Sequence, residues 1–480
     1  MNNLLFYIIF FIATFSVDAS TVEVALSGKW KELDPNIYSN RNTVLIIKNI
    51  YDSIIDFDPK TGNYSSGILE EWSIIDGGKK YILKLNNKVQ FSNGEVLNAQ
   101  ILKNSWLRKN TESLLFFSTN KAIINIPSKF TVEVVFDKAY PNFINDLTDL
   151  IFSPVLNKND KELLGTGKFM ISKKDVDVVE LVPNPYSSTK GDYKILFYNG
   201  RINQNKVPDI YTYFPKKFIC PNGFKCIYGN YRSHNLLSFN QSYKGALNTK
   251  VLRRSFIGLL YGKIKDELYS KEDILGVKRI FEFDPQIFLP FQGGRLSRKE
   301  VDKLISYDHG AAYLKKRPKV SFIFSNRSKL GRYLFNTMKK DTRFRLTDSS
   351  GPIEFNALLN ILTNKKNVDM ILHTHSIQDF NANDIYNKYA SGGINKLYFN
   401  SNKVLEQSIG EVFKFGVEPK GLLKNVARTY YKEGIALHFG YRRDAIIYNS
   451  KTVSLNLSKK KAISTVPLVR DFLPLSSNLK

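Results

Sequence analysis

One unbroken run of apolar and small residues, Leu4 to Val17, stands at the head of the chain, and no later stretch is long and apolar enough to cross a bilayer, which takes about 20 helical residues. The remainder of the chain must therefore bury its hydrophobic side chains in cores of its own. The run ends in Val17-Asp18-Ala19, the small-x-small form of a signal-peptidase site, so cleavage is expected after Ala19, leaving a free mature chain. An uncleaved anchor is the alternative, although Met1-Asn2-Asn3 offers no flanking cation beyond the terminal amine. No cysteine lies near the leader, so a lipobox anchor is absent.

The chain has 480 residues, enough for about two or three globular lobes. Its 43% hydrophobic and 24% charged residues exclude both a disordered chain and a polytopic membrane protein. Its two cysteines, Cys220 and Cys226, flank a turn-forming Pro221-Asn222-Gly223. In an oxidising compartment they are expected as a disulfide, with two reduced thiols in a surface hairpin as the alternative. Their spacing fits neither a zinc knuckle nor a Cys-x-x-Cys redox pair.

Net charge is +26, and +27 without residues 1–19, whose one charged side chain is Asp18. Such a field draws acidic ligands, anionic lipid or nucleic acid. Lys and Arg are spread along the chain, however, and the longest pure Lys run is Lys459-Lys460-Lys461. Together with abundant Asn, Ile, Phe and Tyr, this reads as an A/T-rich coding bias rather than a nucleic-acid role.

Alternation predicts a strand over Thr21–Leu26, ended by Leu33-Asp34-Pro35, and a helix near 43–51. Strands over 71–75 and 80–85 are joined at Asp76-Gly77-Gly78 into a hairpin. Asn98 caps a helix with Ile101, Leu102, Ser105 and Trp106 on one face. A strand follows over 131–136, a helical spacing over 143–150, and strands over 169–172 and 176–182. Further on, strands over 320–324 and 368–373 flank a helix over 330–339, the alternation of an α/β unit with a largely parallel sheet. Trp72 and Trp106 fall within regular elements and read as core.

A dense series of motifs runs through residues 33–108: Leu33-Asp34-Pro35, Ile50-Tyr51-Asp52, Asp58-Pro59-Lys60-Thr61-Gly62, Glu70-Glu71-Trp72, Phe91-Ser92-Asn93-Gly94 and Ser105-Trp106-Leu107-Arg108. In order and spacing the series resembles the opening of the peptide- and nickel-binding ABC-importer solute-binding proteins, bacterial extracellular solute-binding family 5. Gly165-Thr166-Gly167 resembles that family's return to its first lobe, and Leu237-Ser238-Phe239-Asn240 the start of its third.

The resemblance implies a periplasmic-binding-protein-like α/β fold, with two ligand-clamping lobes joined by a hinge and an inserted third. After the signal peptide (1–19), the expected division is lobe I at 20–45, 166–238 and 436–480, lobe II at 46–165, and lobe III at 239–435. The implied function is periplasmic capture of a small ligand, foremost a peptide, and its delivery to an ABC permease and ATPase subunits. A monomer without cofactor, metal or nucleic acid is expected. Asp379-Phe380-Asn381 matches the family segment whose carboxylate meets the ligand's α-ammonium, and a helix cap is the competing role for Asp379. The Trp expected before this segment is replaced by His375-Ser376-Ile377, and the Pro expected after it by Ala382-Asn383, which puts a peptidic ligand in question. Tyr38 and Asn40 follow the turn where the family approaches its ligand.

His373 and His375 share one face of a strand, but no Cys or third nearby His completes a metal set, so they read as cleft lining or ordinary strand residues. The sequence holds no Gly-x-Ser-x-Gly elbow, His-Glu-x-x-His helix or Walker loop, and Gly165-x-Gly167 lacks the third glycine of a dinucleotide loop, so no catalytic residue is assigned. The two competing functions are a cationic envelope-binding or scaffold protein of the same fold and an exported hydrolase with a triad assembled from distant residues.

Overall fold

The computed structural model describes residues 20–37, 41–58, 63–140, 143–158, 162–188, 192–200, 207–213, 220–270, 281–288, 293–306, 317–354, 357–358, 361, 367–376, 402–413, 420–455 and 472–474. The leader and its expected cleavage site lie outside them.

The first core forms around strand Thr21–Leu26, whose Val22, Val24 and Leu26 are fully buried. This strand runs parallel to Lys194–Asn199 on one side and Ile210–Tyr211 on the other, and hairpin Phe169–Lys174/Val178–Pro183 extends the sheet. Helix Arg41–Ile47 contributes Ile46 and Ile47, and Ile50 and Tyr51 follow into the same core. The helix stops earlier than the spacing predicts. Asn49 folds its side-chain amide back onto the Leu45 and Ile46 carbonyls, 2.7 and 3.1 Å away, and takes up acceptors that a further turn would have used.

Ile54 and Ile55 belong to a second core. It is built on an antiparallel sheet in the order Leu69–Ile75, Lys80–Leu85, Thr131–Val135, Ile123–Ser128. Helices Ala99–Trp106 and Glu112–Thr119 bring Trp106, Phe116 and Phe117 into it. Asn98 caps the first helix by accepting from the Ile101 amide at 3.0 Å, as its position predicts. The helical spacing over 143–150 breaks into a short helix, Phe143–Asp146, and a 3₁₀ turn, Leu150–Phe152, because Asp149 starts a new turn by accepting from the Ile151 amide at 3.0 Å. The chain returns to the first sheet through Gly165-Thr166-Gly167, which passes directly over residues 49–50. A Cβ on Gly165 would lie 2.1 Å from the Ile50 carbonyl oxygen, so only glycine fits there.

In the third core, helices Lys250–Ser270, Arg298–Ile305, Lys329–Lys339 and Lys420–Glu433 pack with strands Phe322–Ser325 and Met370–Ser376. Those two strands are parallel, with Phe322 opposite Met370, and helix Lys329–Lys339 lies between them in sequence, which is the predicted α/β unit. First and third cores share one 11-stranded sheet. Two long strands, Phe224–Phe239 and Ala436–Asn449, carry it from one to the other.

Candidate functional site

The two long strands pair antiparallel from Phe224 opposite Asn449, at the first core, to Ser238 opposite Ala436, at the third. Their register slips between Tyr228 and Tyr231, between Tyr231 and Ser233, and between His234 and Leu236. Gly440 has a φ of 105° beside the last slip. Register shifts bend and twist a ladder, so the bending is concentrated where the sheet passes between cores. At the first-core end the strand is anchored by the Cys220–Cys226 disulfide, formed as expected across the Pro221-Asn222-Gly223 turn with Cα atoms 5.9 Å apart.

Four of the five histidines gather on the third-core side of this crossing. His234 and His438 are buried with ring centroids 5.0 Å apart, and His234 also stacks on Tyr441 at 5.9 Å. Nε2 of His438 lies 3.1 Å from the Tyr430 hydroxyl. On the neighbouring strand, His375 stands opposite His234 in the backbone register, and His373 opposite Leu236. Nε2 of His373 lies 2.8 Å from Oγ of Ser238. That serine–histidine pair has the spacing of a nucleophile and its base, but both residues are buried inside the sheet, where their bond staples adjacent strands. Among the described residues no group of three His, Cys, Asp or Glu side chains is arranged to hold a metal ion.

Beside the crossing lies a depression of about 180 Å³ lined by Phe283, Pro285, Gln286, Val301 and the Asp284–Arg295 ion pair. Its wall is held in place: Tyr431 donates to the Pro285 carbonyl at 2.7 Å, Tyr441 donates to that of Gln286, and the Gln286 side chain exchanges two hydrogen bonds with the Leu296 backbone. Behind it, the buried Arg253 donates to the carbonyls of Leu247, Asn248, Glu433 and Gly434. Burial lowers its pKa to about 10, against the upward pull of Glu433, so it remains charged at neutral pH.

The Leu33-Asp34-Pro35 turn is held by polar contacts of its own. Asp34 and Asn36 are buried, and Arg108 donates to both side chains, at 2.5 Å and 3.0 Å. The Asn36 amide also donates to the carbonyls of Ile151 and Ser153. The turn thus ties the first core to the end of helix Ala99–Trp106. The Tyr51 hydroxyl, which donates to the Leu33 and Leu163 carbonyls, has its pKa pushed far up by burial and then by Asp34.

Of the residues singled out from sequence, Tyr38, Asn40, Asp379, Phe380 and Asn381 lie outside the described residues, and His375 is described only by its place in the strand. His234, His438, Tyr430 and Tyr441 escaped sequence reasoning, because the contacts that join them span up to two hundred residues. The nearest local signal was His438-Phe439-Gly440-Tyr441, which follows the apolar start Ala436-Leu437 of its strand.

Two lobes built on one sheet and linked by a pair of shared strands define a periplasmic-binding-protein-type fold. Residues 63–209 match the profile of the bacterial extracellular solute-binding proteins, family 5 Middle. The crystal structure of the ABC transporter substrate-binding protein CtaP from Listeria monocytogenes superposes with a TM-score of 0.75 at 16% identity, covering 95% of this chain and 99% of that one. The binding protein DppA from Helicobacter pylori, in complex with the peptide STSA, gives 0.72 at 14% identity over 95% and 98%. The probable deoxycholate-binding periplasmic protein YgiS of Escherichia coli (strain K12) is 30% identical over 76 residues, a match covering 16% of this chain and 14% of that protein. Residues 63–209 thus carry the profile of solute-binding family 5, and the chain as a whole has the fold of the binding proteins on which it superposes.

Proposed function

We propose that the protein is an extracytoplasmic receptor that captures a small solute, foremost a peptide, between lobes I and III, and passes it unaltered to an ABC permease driven by two ATPase subunits. The observation that carries this reading is the pair of long strands common to both cores, with their register slips gathered at the crossing. Such a link lets two rigid lobes close about a hinge while each core stays intact. Peptide as the ligand rests on the DppA complex, and the YgiS match keeps other small amphipathic solutes in view. In this reading the leader is removed after Ala19, the mature chain is a periplasmic monomer, and lobe I runs on to Tyr51 before lobe II begins.

Asp379 is proposed to accept the ligand's α-ammonium, with Phe380, Asn381, His375, Tyr38 and Asn40 around it. In a closed cleft such a charge-assisted bond contributes about 1.5–3 kcal/mol. Native mass spectrometry of the chain from Ser20, challenged with a mixed peptide pool, is expected to give one peptide per chain. Asp379→Asn is expected to weaken free-amino peptides at least tenfold and amino-blocked peptides little. Equal weakening of both would remove the ammonium assignment, and a chain that stays empty would remove the peptide reading.

A further inference from the structure

Total charge conceals how unevenly this chain is charged. Lys and Arg are spread along it, but Asp and Glu do not keep pace. Residues 46–165 hold fourteen cations against fourteen acids, and residues 239–435 hold thirty-four against nineteen. Within that stretch, residues 317–345 hold nine Lys and Arg against one acid, Asp341. All nine cations are exposed, while Asp341 is buried and engaged by Arg343 at 2.7 Å and Lys263 at 3.1 Å.

Five of the nine cations lie on a helix and on a pair of short strands beside it. On helix Lys329–Lys339, Leu330, Leu334 and Met338 face the core, and Lys329, Arg332 and Lys339 recur at helical spacing on the outside, along about 16 Å of axis. Beyond its C-terminus, strand Arg345–Leu346 pairs in parallel with Lys319–Val320, which sets Lys319 directly opposite Arg345. Like charges in opposite register cost folding free energy. Among the described residues Arg317, Lys319, Lys340 and Arg345 have no salt bridge, so the fold bears that repulsion without a carboxylate to offset it. A face carrying exposed cations on a helix and on the strand pair beside it matches a plane of negative charge. Its aromatic rings are poorly placed for stacking on a nucleic-acid base, since Phe322, Phe324 and Phe344 are buried and Tyr333 and Phe335 are half-buried.

We propose that the face formed by residues 317–345 docks on anionic phospholipid headgroups and holds the third lobe against the membrane. The proposal rests on the extracytoplasmic reading above. Its test is co-sedimentation of the chain from Ser20 with vesicles of phosphatidylcholine alone or with 30 mol% phosphatidylglycerol, in about 0.1 M and 0.5 M salt, between which screening rises sharply. Binding is expected to the anionic vesicles at low salt only. The triple change Lys319→Glu, Lys340→Glu, Arg345→Glu should lower partitioning at least tenfold. Lys88→Glu, Lys121→Glu, Lys138→Glu, with the same change in net charge on the second lobe, should lower it less than twofold. Lys319→Gln with Arg345→Gln, which relieves repulsion rather than reversing charge, should also weaken binding while raising the thermal midpoint. Equal losses from both triple variants, binding that survives high salt or occurs equally on neutral vesicles, or tighter binding to duplex DNA would each overturn the proposal. Peptide capture by the first triple variant, read by native mass spectrometry, reports separately on the receptor function.

Discussion

The second and third lobes keep their interiors in different ways. In the second, Trp106, Phe116, Phe117, Phe136, Phe143 and Phe152 pack mostly edge to face with ring centroids 5.0 to 6.4 Å apart, and the indole of Trp106 donates to the Phe152 carbonyl. In the third, the apolar core is stitched by buried charged groups. Asp369 accepts from the Leu247 amide and from both the amide and the hydroxyl of Ser321, and Arg253 closes the helix ends around it. Aromatic packing loses free energy in proportion to what is removed. A polar hub fails abruptly when one member goes, because its partners are left buried and unpaired. The second lobe is therefore built as a stable, charge-neutral block, and the third as a body whose parts are pinned at a few points.

The largest expected effect is that of Trp106→Ala, which empties the centre of the aromatic cluster and should cost about 3–5 kcal/mol. Calorimetry should show a transition belonging to the second lobe moving down while the rest holds. A single transition moving as one would break the distinction between the lobes. Asp369→Ala strands three donors and should cost about 3 kcal/mol, read as a shift of the third-lobe transition and faster amide exchange along Met370–Ser376. The smallest effect concerns Asp341. Burial pushes its carboxyl pKa up, but hydrogen bonds from Arg343 and Lys263 outweigh this and hold it well below the usual carboxylate range. Its contribution is therefore complete above about pH 4 and is lost as pH falls through the folded-state value. Asp341→Asn should cost about 1 kcal/mol at pH 7, and the difference from the parent chain should shrink on acidification.

What could be read from sequence depends on the length of the contacts. The hairpin at Asp76-Gly77-Gly78, the Asn98 cap and the disulfide turn are decided by neighbours a few residues away, and each is visible in the chain as written. Helix ends were less legible, because Asn49 and Asp149 choose between continuing a helix and capping it. The crossing strands pair Leu237 with Leu437, and nothing in either segment names the other. The same distance hid the histidine cluster, whose members come from three strands. Asp34 was legible as part of a motif but not in its role, since only the fold brings Arg108 to it. The cationic face was overlooked because it is marked by missing carboxylates rather than by a run of lysines.

Strand Ala436–Asn449 sits inside the shared sheet, between Ile210–Tyr211 and Phe224–Phe239, yet it follows every other strand of that sheet along the chain. Until it arrives, both of those strands present open edges, and the first and third cores have no common wall. Assembly of the shared sheet is consequently governed by this one strand. A chain that stops short of Ala436 leaves two half-sheets with open, adhesive edges until this strand closes them.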